Sequence, residues 1–292
     1  MLPAGLGLRK KYRKSSVKVR HFTWHAEMLN VLLEHLEEEH YFLPPWANGS
    51  LVVGTSYADL EWPFFSMDHS YNPYTKKGMK LVVRFPDLLS SIRKEIQKLL
   101  RSIEQDFDVD KMLIKMGRIY HFLSDLAVPA HVHNIPHMFL DLPRIGKCDF
   151  EEYLGLDQPL LTLNQHEIGD ISAIKVGSFE DFYECLDNMA RYTFLNSSFD
   201  YEQLKRIAND RMINTFDGKD DLIRRLKKVG VSVYPVEGLT EEERFYVRNL
   251  TSRECEEISE KTTYYSLKTI SSCFIFLMAM VNERLEERKE PV

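Results

Sequence analysis

The chain has 292 residues, of which 44% are hydrophobic and 28% are charged, so it can bury one substantial globular core. Its formal net charge of −6 argues against a protein that grips nucleic acid through a basic surface, and we expect no stable nucleic-acid partner. Four widely spaced cysteines without a C-x-x-C motif indicate neither a zinc ribbon nor a dense disulfide framework, although one disulfide could form.

The amino-terminal residues 1–20 differ in character from the rest of the chain. They contain the basic run Arg9–Lys14, which predicts a disordered tail ahead of a helical domain over residues 21–292. The apolar segment before this run is too short for a secretory signal, so none is readable and the compartment stays open. The longest apolar run, residues 273–281, is far shorter than the ~20 residues that cross a bilayer, and we expect no transmembrane helix.

Apolar residues at helical spacing predict helices over most of the chain. The first helix runs from Phe22 to about His40 and carries His25 within its apolar stripe. The stretch Leu43–Tyr74 is rich in proline, glycine and aromatic residues, so we predict a long irregular connection. Asp59 and His69 would lie in this connection, outside regular secondary structure, and long ordered loops are usually functional.

Helical spacing continues to the carboxyl end of the chain. Further helices are predicted to begin at Pro86, ahead of Met112, at Ser178, at Thr240 and at about Thr251. Strand signals are few, and the candidates are Ser50–Val53 and Val231–Tyr234. This pattern predicts an all-α fold with a single multi-helix domain.

The segment GRIYHFLSDLAVPAHVHN, residues 117–134, is the most informative part of the sequence. His121 and Asp125 share a helix face, and Gly117 one turn earlier keeps that face free of side-chain bulk and leaves room for an ion. The opposite side is apolar, so the pair would be buried, and a buried charge must be paired or metal-bound. The helix should end before the following proline, with His131 at the exit turn. Alone, this pattern fits a core helix with hydrogen-bonded His and Asp equally well.

Other segments also carry side chains that bind metals, and their order along the chain is informative. The set consists of His25, Asp59, His69, His121, Asp125, His131 and Glu151. This order and its local spacing resemble the zinc-dependent phospholipase C and single-strand-specific nuclease superfamily. The segments that carry the resemblance are TWHAEMLNVLLEHL, YADLEW, DHSYNPYTKKG, GRIYHFLSDLAVPAHVHN and CDFEEYLG. Several motifs in one order make a more specific match than any one of them.

The resemblance implies an all-α domain of the phospholipase C and nuclease type with a buried cluster of two or three zinc ions. The implied ligands of one ion are His69, His121, Asp59 and Asp125. Asp125 would bridge this ion to a second ion, which His25 also binds. A third ion would be bound by His131 and Glu151. Imidazole nitrogens and carboxylate oxygens are donors that Zn²⁺ prefers. Such a cluster lowers the pKa of a bound water toward about 7, and Asp59, which matches the family's catalytic Asp, would orient or deprotonate that water.

One departure from the family pattern affects the third ion. The family usually has a His one turn before the Glu that matches Glu151, but Lys147 stands there, and a protonated Lys cannot ligate a metal. Cys148, His133 or His137 could take its place, or the site is degenerate.

A second departure affects the ion at His25. The family uses the free amino end of its processed chain as a ligand, and the matching position here is Tyr12, within an uncleaved tail. This ion therefore requires processing of the chain or a substitute side chain such as His21.

The resemblance implies hydrolysis of a phosphodiester. The pattern around His69 is closer to the phospholipase branch, so a phospholipid ranks first as substrate, with transient contact at a membrane surface. The aromatic residues that help to cage choline in some members are replaced by Leu60 and Ser66. A single-strand nuclease or nucleotidase is the nearest alternative, since zinc can supply the missing positive charge. A catalytically weakened relative that binds metal or lipid is a further alternative.

Overall fold

The computed structural model describes residues 47–60, 69–78, 86–105, 108–135, 174–239 and 243–287, together with positions 25, 28–30, 32 and 33. These residues are mostly helical and include one two-stranded sheet, which confirms the all-α prediction at the level of fold class. The predicted basic tail lies outside the described residues, so the boundary at residue 20 stays a prediction.

The described elements follow one another along the chain with short connections in its second half. They are α1 (Ala47–Leu60), α2 (Leu88–Gln105), α3 (Val109–Asp125), α4 (Pro129–Val132), α5 (Phe179–Asn196), α6 (Tyr201–Asp210), α7 (Gly218–Lys228), β1 (Ser232–Pro235), β2 (Phe245–Arg248) and α8 (Ser252–Glu287). The predicted helices at Pro86, Met112, Ser178 and Thr251 are confirmed as α2, α3, α5 and α8. The side chain of Ser178 accepts a hydrogen bond from the Asp181 amide, as its role as an N-cap requires.

The predicted irregular connection Leu43–Tyr74 is wrong over residues 47–60, which form the helix α1. The strand candidate Ser50–Val53 lies within this helix, and the backbone of Asp59 is helical. The prolines of the segment all fall outside residues 47–60, so the high local density of proline and glycine misled the prediction. What favours the helix is tertiary packing, which routinely overrides weak local propensity.

Two glycines allow α1 and α3 to pack with their backbones in contact. A Cβ atom on Gly54 would overlap the carbonyl oxygen of Ile114, and a Cβ atom on Gly117 would overlap the carbonyl oxygen of Leu51. The Thr55 hydroxyl donates to the Leu51 carbonyl at 2.9 Å and contacts the Gly117 carbonyl at 3.2 Å. The prediction that Gly117 leaves room for an ion is therefore wrong: the space beside it is filled by the backbone of α1.

The contacts between α1 and α3 also fix their register. Ser50 donates to Asp110 at 3.0 Å, and the Thr55–Gly117 contact lies further along both helices, about one and a half turns later in α1 and about two turns later in α3. The partners are 60 and 62 positions apart in sequence, so the helices run parallel. Together with the Leu51–Gly117 contact, the offsets run from 60 to 66, so the backbone of position 59 of α1 lies beside positions 119–125, the last turns of α3.

The long helix α8 supplies much of the main core. Its buried stripe includes Ile270, Phe274 and Leu277, and the Phe274 ring packs edge-on against Tyr120 of α3 with 5.8 Å between centroids. By length and composition alone, the segment Tyr265–Leu285 could cross a membrane, with a mean hydropathy of 1.3, although the sequence suggested no such helix. Within this segment, 61% of the most apolar stretch is buried inside the protein. The core helix of a globular protein can have the same length and apolar composition.

Residues 199–250 form a smaller unit of two helices and a β-hairpin with its own apolar core. The buried core residues are Leu204, Ile207, Ala208, Leu222, Leu226, Val231, Phe245 and Val247. The strand predicted at Val231–Tyr234 is confirmed as β1. The helix predicted after Thr240 is wrong, because Phe245–Arg248 pairs with β1 as β2. All four side chains of β2 are buried, so its packing outweighs the cap-like pattern before it.

We predict that Gly117→Ala lowers the free energy of unfolding by about 1–3 kcal/mol or more, because the added Cβ forces the backbones of α1 and α3 apart. Gly49→Ala, in α1, is the matched control, since no atom lies within 4 Å of a Cβ at that position. The control should be neutral or stabilise α1 by up to about 1 kcal/mol. Urea unfolding of both variants measures the difference, and equal losses would contradict the close contact of the two helices.

Candidate metal centre

Five buried side chains from four separate segments converge on one point of the main core. Asp125 and His121 lie on the last turns of α3, His131 lies on α4, His69 begins the loop 69–78, and His25 comes from the first predicted helix. Each of the five is at most 3% exposed. The sequence-predicted residues that the structure describes with side chains are therefore brought together, although they span a hundred positions of the chain.

The end of α3 orients His131 toward Asp125. Val128 takes an extended conformation before Pro129, as the proline ring requires, and Pro129 then starts α4 at its first position. The predicted end of the His121 helix before Pro129 is thus confirmed. The chain turns at this point, and the His131 amide donates to the Val128 carbonyl at 3.1 Å.

The loop 69–78 is built around the side chain of Asn72. Its Oδ1 accepts hydrogen bonds from the amides of Tyr74 and Thr75 at 2.9 and 3.0 Å, which closes the kind of turn that Asn and Asp side chains favour. The amide of Tyr71 donates to the His131 carbonyl at 3.1 Å. The first two bonds explain the Asn at position 72, and the third joins the His69 loop to α4.

A charged side chain of α5 also binds this loop. The carboxylate of Asp187 accepts from the Tyr71 hydroxyl at 2.6 Å, from Lys76 at 2.5 Å and from Arg191 at 3.0 Å. Burial alone would raise the pKa of Asp187, but the hydrogen bonds from these three groups outweigh burial and hold the pKa below its usual 3.8. The loop that carries His69 is therefore tied to α5 by a charged network.

Three donor atoms form a nearly equilateral triangle at the centre of the cluster. Asp125 Oδ2 lies 3.1 Å from His69 Nδ1 and 3.4 Å from His121 Nε2. The two imidazole nitrogens are themselves 3.4 Å apart. Two atoms that each lie about 2.0–2.1 Å from one tetrahedral zinc ion are about 3.3 Å from each other, so the triangle has the dimensions of one face of a zinc site.

The second oxygen of Asp125 faces two more imidazoles. Asp125 Oδ1 lies 3.5 Å from His25 Nε2 and 3.4 Å from His131 Nε2. Donor atoms of His25, His121 and Asp125 all lie within 4.8 Å of one another. His131, which the resemblance assigned to a separate ion with Glu151, is therefore close to the Asp125 carboxylate as well.

The donor set fits a bound cation. Both oxygens of Asp125 are buried, and among the described residues neither makes a hydrogen bond, although four imidazoles surround them. A buried carboxylate without hydrogen bonds is costly, and the loss is offset when a metal ion lies between the carboxylate and the imidazoles. A His25–His121–Asp125 group could thus hold a metal ion, and the surrounding His69 and His131 extend the same donor set.

Several residues that the sequence analysis considered for the site lie outside the part of the chain that the structure describes. They are the predicted ligand Glu151, the suggested replacements Cys148, His137 and His21, the departures Lys147 and Tyr12, and the side chain of Asp59. His133, a suggested replacement ligand, is described: its Nε2 lies 3.0 Å from the Ser197 hydroxyl, and its ring stacks on Phe194 with 4.3 Å between centroids. Burial lowers the pKa of His133 to about 3, so it is a neutral core residue directed at α5.

Ser124 is a residue at the cluster that the sequence analysis missed. Its Oγ lies 2.5 Å from His25 Nδ1 and donates to the His121 carbonyl at 2.7 Å. The signal that could have identified it is a buried serine, directly before Asp125, in a helix that is otherwise apolar on most sides. Serine in such a position needs a hydrogen-bond partner.

No protein-family model matches this chain, and no curated protein matches it. The resemblance to the zinc-dependent superfamily therefore rests on the motifs of the sequence and stays a prediction.

We predict that Asp187→Asn lowers the free energy of unfolding by about 1–2 kcal/mol near neutral pH, a range reduced for partial exposure of the network. The pKa of Asp187 is lower in the folded protein than its usual 3.8, so this stabilisation is present above that value. It is lost as the pH falls through the lower folded pKa, and the two proteins should converge in strong acid. Urea unfolding over a pH series measures this, and a constant difference at every pH would contradict it.

We predict that zinc added to the metal-free protein raises the midpoint of thermal unfolding by about 5 °C or more when its concentration is about 100-fold above the dissociation constant. Asp125→Asn should abolish this shift. Without zinc the variant should be at least as stable as the wild type, because an amide can donate to an imidazole and no buried charge remains.

The matched control for this experiment is Asp221→Asn in α7, which breaks the bond from Arg225 and leaves the cluster intact. It should retain the full shift with zinc. The opposite pattern, in which zinc has no effect and Asp125→Asn is destabilised without metal, would identify the cluster as a hydrogen-bonded core.

Proposed function

We propose that this protein is a zinc-dependent phosphodiester hydrolase of the phospholipase C type. The observation that carries the proposal is the convergence of His25, His69, His121 and His131 on the carboxylate of Asp125 in the interior. The proposal combines this geometry with the order of the motifs in the sequence, since each would be weak support without the other.

The distances favour a shared cation over direct hydrogen bonds. Charge-assisted bonds between imidazolium and carboxylate have lengths of about 2.7–2.9 Å. The four nitrogen–oxygen distances at Asp125 lie between 3.1 and 3.5 Å, longer than such bonds and close to the spacing of ligands on one ion. A single proton shared among His69, His121 and Asp125 can make a hydrogen bond between only two of their three donor atoms. A cation at the centre can bind all three atoms at once.

When bound, zinc ions polarise a phosphoryl oxygen and lower the pKa of water at the site. The protein's own part is to hold the donors in place and to keep the surroundings apolar. The Phe122 ring packs edge-on against His69 and His121, with centroid distances of 4.9 and 5.9 Å. Asp125, with one oxygen toward each pair of imidazoles, is suited to bridge two ions.

Asp59 is the residue that we propose to orient or deprotonate the attacking water. The packing of α1 against α3 supports this role, since the backbone of position 59 lies beside positions 119–125, the last turns of α3 that carry His121 and Asp125. A general base must lie within hydrogen-bond reach of the proton that it takes, and a base carried by a packed helix is held more precisely than one carried by a loop.

The substrate that we rank first is a phospholipid. The support is the sequence around His69, whose Tyr-Asn-Pro turn resembles that of the phospholipase branch. Hydrolysis of such a substrate requires transient contact with a membrane surface. A single-strand nuclease or nucleotidase is the second candidate. A metal-binding relative without turnover is the third, and the Lys147 substitution is what favours it.

The proposal is tested by metal content and activity together. We expect two or three zinc ions per chain and release of diacylglycerol from phospholipid vesicles. Asp59→Asn should lower the turnover number by about 10²–10⁴-fold, as expected for loss of a general base. Asp220→Asn, the same exchange at an exposed position of α7, is the control and should retain full activity.

The outcomes separate the candidates. Cleavage of single-stranded nucleic acid with intact lipid would favour the nuclease. Full metal content without hydrolysis of either ester would favour the binding protein. A chain that binds no zinc would overturn the proposal.

A further inference from the structure

We infer that Ser124 is a positioning residue that fixes the tautomer of His25 and directs the lone pair of its Nε2 toward Asp125 Oδ1. The inference rests on the proposed metal centre, and it deepens that proposal by naming a residue outside the ligand set of the resemblance. Ser124 is fully buried and lies one position before Asp125, so its side chain cannot reach bulk solvent.

The hydrogen bonds of Ser124 determine where the protons lie. A serine hydroxyl has one proton, and the carbonyl oxygen of His121, 2.7 Å away, can only accept. The Ser124 proton is therefore donated to that carbonyl. At the second contact, 2.5 Å from His25 Nδ1, the hydroxyl oxygen must accept, so Nδ1 carries a proton. In the neutral imidazole, the form that ligates a metal ion, this is the only ring N–H.

This arrangement leaves a lone pair on the other ring nitrogen. His25 Nε2 faces Asp125 Oδ1 at 3.5 Å. A nitrogen lone pair and a carboxylate oxygen repel each other in a buried site, and a cation between them reverses the sign of that interaction. Ser124 thus prepares His25 as a metal ligand, in the way that hydrogen-bonded partners commonly set the tautomer of ligating histidines.

A purely structural role for Ser124 makes a different prediction. Serine often donates to a carbonyl three or four residues earlier in a helix, and that bond alone has no effect on a neighbouring imidazole. Ser102 of α2 makes this same bond, with its hydroxyl 2.7 Å from the Leu99 carbonyl. Ser102→Ala is therefore the matched control for Ser124→Ala.

The tautomer can be observed directly by two-bond ¹H–¹⁵N correlation spectra of the imidazole side chains in the metal-free protein. We expect the proton of His25 on Nδ1 in the wild type and in Ser124→Thr, which keeps the hydroxyl. In Ser124→Ala the proton should shift to Nε2. The Ser102→Ala control should match the wild type.

Zinc affinity gives the second readout, by competition with a chelating dye. Ser124→Ala should bind zinc about 10–100-fold more weakly, and Ser124→Thr should recover most of the loss.

If Ser124→Ala fails to fold, the spectrum of the wild type decides the inference. A His25 proton on Nε2 would overturn it, and a proton on Nδ1 would support it. An unchanged tautomer and affinity in a folded Ser124→Ala would overturn it as well. If the wild type binds no zinc but the tautomer depends on Ser124, the proposed function fails while the role of Ser124 in proton placement holds.

Discussion

The burial of the Asp125 carboxylate is the constraint on which the candidate site depends. An ionised group in the interior is costly unless its charge is met, and here the fold surrounds it with imidazoles from three other segments. In the neutral form that ligates metal ions, the four imidazoles would supply lone pairs and no positive charge. A divalent cation would supply that positive charge. A buried carboxylate surrounded by imidazoles is unfavourable without an ion, and the same arrangement is suited to bind one.

The rest of the fold keeps this cluster rigid. Gly54 and Gly117 allow α1 to lie directly on α3, so the helix with Asp59 is fixed against the helix with His121. The charged network around Asp187 ties the His69 loop to α5. Such support is required of any metal centre, because ligands that are loose by about an ångström lose both affinity and catalytic geometry.

Much of the cluster could be predicted from sequence, because α3 and α4 obey local rules: helical spacing places His121 and Asp125 together, and proline sets the following turn. The convergence of His25 and His69 followed only from the order of motifs, since no local rule joins distant segments. The helix α1 and the role of Gly117 were mispredicted for one reason. Contact between two backbones depends on the partner helix, and a sequence does not display that partner.

The most direct test of the central claim is anomalous diffraction at the zinc edge from crystals grown with zinc. We expect a peak about 2.0–2.2 Å from Asp125 Oδ2, His69 Nδ1 and His121 Nε2. Diffraction data with these three side chains in place and no anomalous peak among them would contradict it.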